Sequence, residues 1–171
     1  MSAHDGAGAA VTTTIELPTA ADTDAFGRAL GAVLRAGDLV LLAGGLGAGK
    51  TTLTKGVAVG MGIDATVTSP TFVLARMYRP ATGGPRLVHV DAYRLGGRLE
   101  LDDLDLDTDL TTAAVVVEWG EGVADQLAED HLLVRLDRHP DDTRTAELVA
   151  VGGDWPRRVA RAATAVRASS A

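Results

Sequence analysis

Hydrophobic positions fall into two patterns along this chain. Leu39-Val40-Leu41-Leu42-Ala43 and Ala113–Glu118 are short continuous apolar runs, the mark of strands buried on both faces. Between such runs lie longer stretches with apolar residues at helical spacing. The pattern predicts a short strand over Thr12–Leu17. A helix follows, opened by Pro18-Thr19, with Leu30, Val33 and Leu34 turned inward and an end near Gly37. After the strand Leu39–Ala43 comes a helix over Thr51–Met61, closed by Gly60 and Gly62. Further strands are predicted at Phe72–Tyr78, Leu87–Asp91 and Ala113–Glu118, with a turn at Thr82-Gly83-Gly84. The acidic, leucine-rich stretch Leu95–Thr112 predicts one or two short helices, and Glu121–Ala128 another. Leu132–Leu136 and Thr145–Val151 form a late strand pair around Pro140-Asp141-Asp142, and Trp155–Val166 an arginine-rich terminal helix. Alternating strands and helices, then strands in succession, imply an α/β fold with a mostly parallel sheet and antiparallel edge strands.

A length of 171 residues predicts one domain. It is expected over 12–152, with residues 1–11 disordered and 153–171 a C-terminal helix or tail. The chain has no cysteine, which excludes disulfides, thiolate metal sites and a cysteine nucleophile and fits a reducing compartment. A net charge of −7 gives no bulk electrostatic reason to bind nucleic acid or an anionic membrane. Met1–Ala10 lacks the basic and apolar regions of a secretory signal, and no apolar run approaches the length of a membrane span. A cytoplasmic protein without a membrane partner is expected.

The predicted strand Leu39–Ala43 runs straight into Gly44-Gly45-Leu46-Gly47-Ala48-Gly49-Lys50-Thr51, which satisfies the phosphate-loop pattern G-x-x-x-x-G-K-[ST]. Glycines let the backbone curl until its N–H groups face phosphate oxygens, and the helix that follows adds its positive end. Lys50 supplies a point charge for the β- and γ-phosphates, and Thr51 a hydroxyl for Mg²⁺. The chain's own residue frequencies give roughly 0.003 chance matches to this pattern, so a fortuitous glycine-rich turn is a poor explanation. The fold class sharpens to a three-layer P-loop NTPase-like sandwich.

The chain holds no asparagine, and its two lysines, Lys50 and Lys55, lie in or just after the loop. The Asn-Lys-x-Asp element of guanine-specific proteins is therefore absent, and ATP is favoured over GTP. Mg²⁺ needs further oxygen ligands. Two strands end in carboxylates where α/β sheets place their ligands, Leu87–Asp91 and Ala113–Glu118. Either Asp91 or Glu118 fits the metal, directly or through water, or the orientation of an attacking water. Lys50, Asp91 and Glu118 form the candidate catalytic set; Thr51, Glu118 and Asp91 are the candidate metal ligands.

Other signals are weaker. His89, inside a strand, fits a structural role, and the four histidines lack zinc spacing. Asp103, Asp105, Asp107 and Asp109 alternate as an EF-hand begins, but the required glycine and glutamate are missing. They fit a solvated face, with a partner-docking surface as the alternative. Arg157, Arg158, Arg161 and Arg167 fit a solvated helix, with an RNA or partner contact as the alternative; Arg144 and Arg94 are candidates for steadying phosphate charge.

Four segments, Gly47-Ala48-Gly49-Lys50-Thr51-Thr52, Thr68-Ser69-Pro70-Thr71-Phe72, His89-Val90-Asp91-Ala92-Tyr93-Arg94 and Glu118-Trp119-Gly120, occur in this order. Together they resemble the TsaE (YjeE) family, ATPases needed for threonylcarbamoyladenosine in bacterial tRNA. The resemblance spans about Leu17 to Val151. It implies nucleotide contacts from Gly45, Leu46, Gly47, Ala48, Gly49, Lys50, Thr51 and Thr52, from the switch-like loop at Ser69 and Thr71, and from Trp119 and Arg144. It implies an Mg²⁺-binding Glu118, a role for Asp91 in hydrolysis, and the stretch Pro18–Thr23 near the adenine. It also implies TsaD and TsaB as partners, with tRNA reached only through their complex, and an ATP cycle that is weak alone and resets that complex. Two departures stand out: Gly45 replaces the family's usual aspartate, and Gly120 its frequent proline. A small-molecule kinase and a non-catalytic nucleotide-sensing scaffold are the alternatives. The chain is short for a kinase lid, and its acidic stretch is the wrong charge for one.

Overall fold

The computed structural model describes residues 10–45, 47–64, 67, 75–91, 111–118 and 129–169. In chain order the elements are β1 (Val11–Leu17), α1 (Ala20–Val33), β2 (Leu39–Gly44), α2 (Lys50–Gly60), β3 (Ala75–Tyr78), β4 (Arg86–Asp91), β5 (Ala113–Glu118), β6 (His131–Arg138), β7 (Arg144–Val151) and α3 (Trp155–Ser169). The seven strands form one sheet in the order β1-β7-β6-β2-β5-β4-β3. The β6–β2, β2–β5 and β5–β4 pairings at its centre are parallel. The flanking pairings, β1–β7, β7–β6 and β4–β3, are antiparallel. The parallel core with antiparallel edges is the expected arrangement.

Period-two alternation divides the strands between two cores. Val40 and Leu42, Ala114 and Val116, and Leu132 and Val134 join Phe26, Leu30, Leu53, Val57, Trp155 and Val159, so α1, α2 and α3 share one face. Leu39, Leu41, Val88, Val90, Val115 and Val117 point the other way and are equally buried. Burial on both faces explains why β2 and β5 are continuous apolar runs. The third layer of the expected sandwich, with the helices anticipated over Leu95–Thr112 and Glu121–Ala128, lies outside the described residues apart from Thr111 and Thr112. So do Asp103, Asp105, Asp107, Asp109 and Arg94.

Helix α1 begins with a capping box. Thr19 Oγ1 accepts from the Asp22 N–H at 3.2 Å, and Asp22 Oδ2 accepts from the Thr19 N–H at 2.9 Å. Its end falls at Val33, ahead of the expected Gly37. Leu34 is already extended, and Gly37 (φ +96°) instead turns the chain into β2. Arg158 departs from the expected solvated helix. It is buried, and its guanidinium forms a two-pronged pair with Asp38, at 2.6 and 2.9 Å, while stacking 4.0 Å over the Trp155 ring. Burial alone would lower the Arg158 pKa; the Asp38 hydrogen bond and charge override it and raise it. No described helix is long and apolar enough to cross a membrane.

Candidate functional site

The glycine loop leaves the carboxyl end of central strand β2 and enters α2, as expected. Three of its glycines adopt positive φ: Gly44 (+153°), Gly47 (+79°) and Gly49 (+108°). At Gly44 a Cβ would lie 2.6 Å from the Leu136 carbonyl oxygen, so the backbones of β2 and β6 approach too closely for any side chain. The Ala48 N–H donates to the Gly45 carbonyl at 3.1 Å and closes the turn. Gly49 is the N-cap of α2 and offers no side-chain cap. The first intrahelical bond runs from the Leu53 N–H to the Gly49 carbonyl, so the amides just before Leu53 have no helical acceptor. The first turn of α2 carries no acidic residue to offset the positive helix end.

Lys50 is buried, and its Nζ donates to the Gly44 carbonyl at 2.6 Å, with Gly45 O at 3.5 Å. The ammonium therefore lies inside the curl of the loop. Thr51 and Thr52 follow on the half-buried first turn. Amides, a helix terminus and a lysine converging on one glycine-lined hollow fit a polyphosphate. Gly45, by contrast, has open space where a Cβ would stand, so an aspartate in its place meets no obstacle.

Glu118 reaches the same end of the sheet. Its Cα pairs with Leu42, two residues before Gly44, and on its other side with Asp91. The parallel register thus brings the last residues of β4 and β5 level with the start of the loop. Glu118 is buried, and its Oε1 lies 3.0 Å from His89 Nε2. A buried carboxylate level with the start of the loop, and a hydroxyl at Thr51 on the first turn of α2, are oxygen donors of the kind a hard cation takes. The Asp91 side chain lies outside the description, as do Leu46, Ser69, Thr71 and Trp119.

Arg144 opens β7 and lies against the loop: a Cβ on Gly49 would be 3.4 Å from its Nε. That Nε is buried and has no hydrogen-bond partner among the described residues. A buried guanidinium nitrogen with an unmet donor beside an anion cradle fits a phosphate oxygen. Its register partner across the hairpin is Arg138, whose Nη1 would be 3.3 Å from a Cβ on Gly47. The sequence carried no sign of Arg138; it is one of many arginines until hairpin register sets it on the loop. The methyl group of Thr23, from α1, would lie 3.6 Å from a Cβ on Gly49, so the last residue of the Pro18–Thr23 stretch borders the loop.

A model of the family described as threonylcarbamoyl adenosine biosynthesis protein TsaE matches residues 17–146. A Streptomyces coelicolor protein named tRNA threonylcarbamoyladenosine biosynthesis protein TsaE is 54% identical over 135 residues, which cover 76% of this chain and 91% of the relative. A Mycobacterium tuberculosis protein of that name is 55% identical over 141 residues, covering 78% and 84%. Among solved structures, Bacillus subtilis YdiB matches with a TM-score of 0.72 at 29% identity, over 91% of this chain and 97% of that one.

Proposed function

This chain belongs to the TsaE family, and on that premise we propose that it is a Mg²⁺-dependent ATPase acting in threonylcarbamoyladenosine modification of tRNA. The observation that carries the proposal is the loop itself. Three positive-φ glycines curl the backbone around the buried ammonium of Lys50. Within that curl the amides of residues 45–52 and Lys50 would hold the β- and γ-phosphates, and Arg144 would meet a phosphate oxygen with its Nε, which has no partner among the described residues. Thr51 and Glu118 would hold Mg²⁺, with Asp91, the register partner of Glu118, to orient water or extend the metal shell. Ser69, Thr71 and Trp119 complete the proposed nucleotide contacts through the family motifs. Bound Mg-ATP supplies a hydrolysable phosphoanhydride, whose cleavage needs positioning and charge stabilisation more than covalent chemistry from the protein.

Homologues of TsaD and TsaB are the proposed partners. The acidic chain would reach tRNA only through them, in the cytoplasm. Hydrolysis measured with and without a TsaB–TsaD complex tests this. Slow turnover alone, altered by the complex, and association that depends on nucleotide are expected. Association indifferent to nucleotide would count against it. Asp91→Ala should slow turnover while retaining ATP; unchanged turnover would remove Asp91 from the hydrolytic set.

A further inference from the structure

Among the described side chains, the helix-facing side of β2, β4 and β5 is apolar except where His89 and Glu118 meet. Leu87 precedes His89 on β4, Ala114 and Val116 precede Glu118 on β5, and all are buried. His89 pairs in register with Val116, so Glu118 is its diagonal neighbour two residues on. The side chains are 0% and 5% exposed. Burying a carboxylate and an imidazole in such a layer costs stability, and an apolar pair of similar volume commonly serves a fold as well or better. Stability alone therefore gives a poor account of the pair.

The imidazole has one recorded hydrogen bond among the described residues, to Glu118 Oε1 at 3.0 Å; Nδ1 is buried with no partner. The tautomer with its proton on Nε2 suits these surroundings, because it leaves an unmatched lone pair in the core rather than an unmatched N–H. His89 then donates to Oε1 and restricts rotation of the carboxylate, with Oε2 as the second oxygen. The geometry points to His89 as a positioning residue, one that holds Glu118 in the orientation Mg²⁺ requires. This rests on Glu118 being a metal ligand, as proposed above. Carboxylates that bind metals are themselves oriented by hydrogen bonds, and losing such a partner costs roughly 10- to 100-fold in metal affinity.

The test measures binding rather than turnover. A fluorescent N-methylanthraniloyl ATP is bound to the full chain in EDTA and across a Mg²⁺ titration, beside thermal melts. His89→Leu removes the donor at similar volume. It should raise the half-saturating Mg²⁺ roughly tenfold or more, with EDTA binding unchanged and melting temperature equal or higher. His89→Asn, whose amide is too short to reach Oε1, should show the same loss and carries the test if the leucine variant fails to fold. His89→Gln, which restores a donor at similar reach, should recover most of the Mg²⁺ response. Folded His89→Leu or His89→Asn protein with wild-type Mg²⁺ dependence would overturn the assignment. A normal Mg²⁺ response in Glu118→Gln would instead remove Glu118 from the metal site, and this inference with it.

Discussion

Gly44, Gly47 and Gly49 show how single residues set the chemistry. Each adopts a φ that L side chains rarely take, so replacement should cost roughly 1–2 kcal/mol before any steric clash. Gly49→Ala should therefore lower the melting temperature and weaken ATP together, in scans with and without nucleotide. Lys50→Ala should cost roughly 1.5–3 kcal/mol of binding, the worth of a charged hydrogen bond, or about 10- to 150-fold in Kd by calorimetry. Gly45→Asp, which restores the family's usual residue, should leave the melting temperature unchanged because nothing lies within 4 Å of the new Cβ. The loop was legible because its chemistry is encoded in short fixed spacing. The His89–Glu118 contact was not, since the two lie 29 residues apart and meet only through strand register. Arg138 was invisible for the same reason.

At the scale of elements, α1 and α2 cross with backbone against backbone. Gly27 and Gly31 face Gly56 and Gly60, and a Cβ at Gly60 would lie 2.1 Å from the Arg28 carbonyl oxygen, one at Gly31 2.2 Å from that of Val57. The helix that carries the phosphate loop is thus seated directly on the helix that carries Thr23. Gly60→Ala should force the pair apart and cost about 1–3 kcal/mol, read from the urea midpoint. Hydrophobic spacing located both helices but gave no hint of this crossing. Gly60 is expected only as a helix terminator, and hydrophobic spacing assigns Gly27 and Gly31 no role. The strands fared better: β2 and β5 are continuous apolar runs because both faces are covered, and β6 and β7 extend a little past their expected ends as hairpin pairing continues.

Across the whole molecule, the centre of the sheet sets the site and the C-terminal helix closes the core behind it. The carboxyl ends of β2, β4 and β5 lie level, which is where sheets of this kind place their ligands. The family model ends at residue 146, yet α3 is tied to the body of the protein through Arg158 and Asp38. Asp38→Ala should leave a buried guanidinium without its main partner, at a cost of roughly 3–5 kcal/mol, measurable by denaturant unfolding. A neighbouring exposed pair adds a modest dependence on the acid side. The Asp154 carboxyl is held below its usual pKa by its hydrogen bond from Arg35, despite some desolvation. Its contribution is present above the unfolded value near roughly 3.9 and is lost as pH falls through the lower folded value. Asp154→Asn should flatten that part of the acid unfolding curve.

Titrating ATP into the intact protein by calorimetry, with Mg²⁺ and again in EDTA, tests the nucleotide hollow most directly. One site should appear, tighter with Mg²⁺, preferring ATP to GTP and collapsing in Lys50→Ala while the melting temperature of the free variant holds. A folded wild-type protein that releases no heat, or a Lys50→Ala variant that binds as well as wild type, would contradict it.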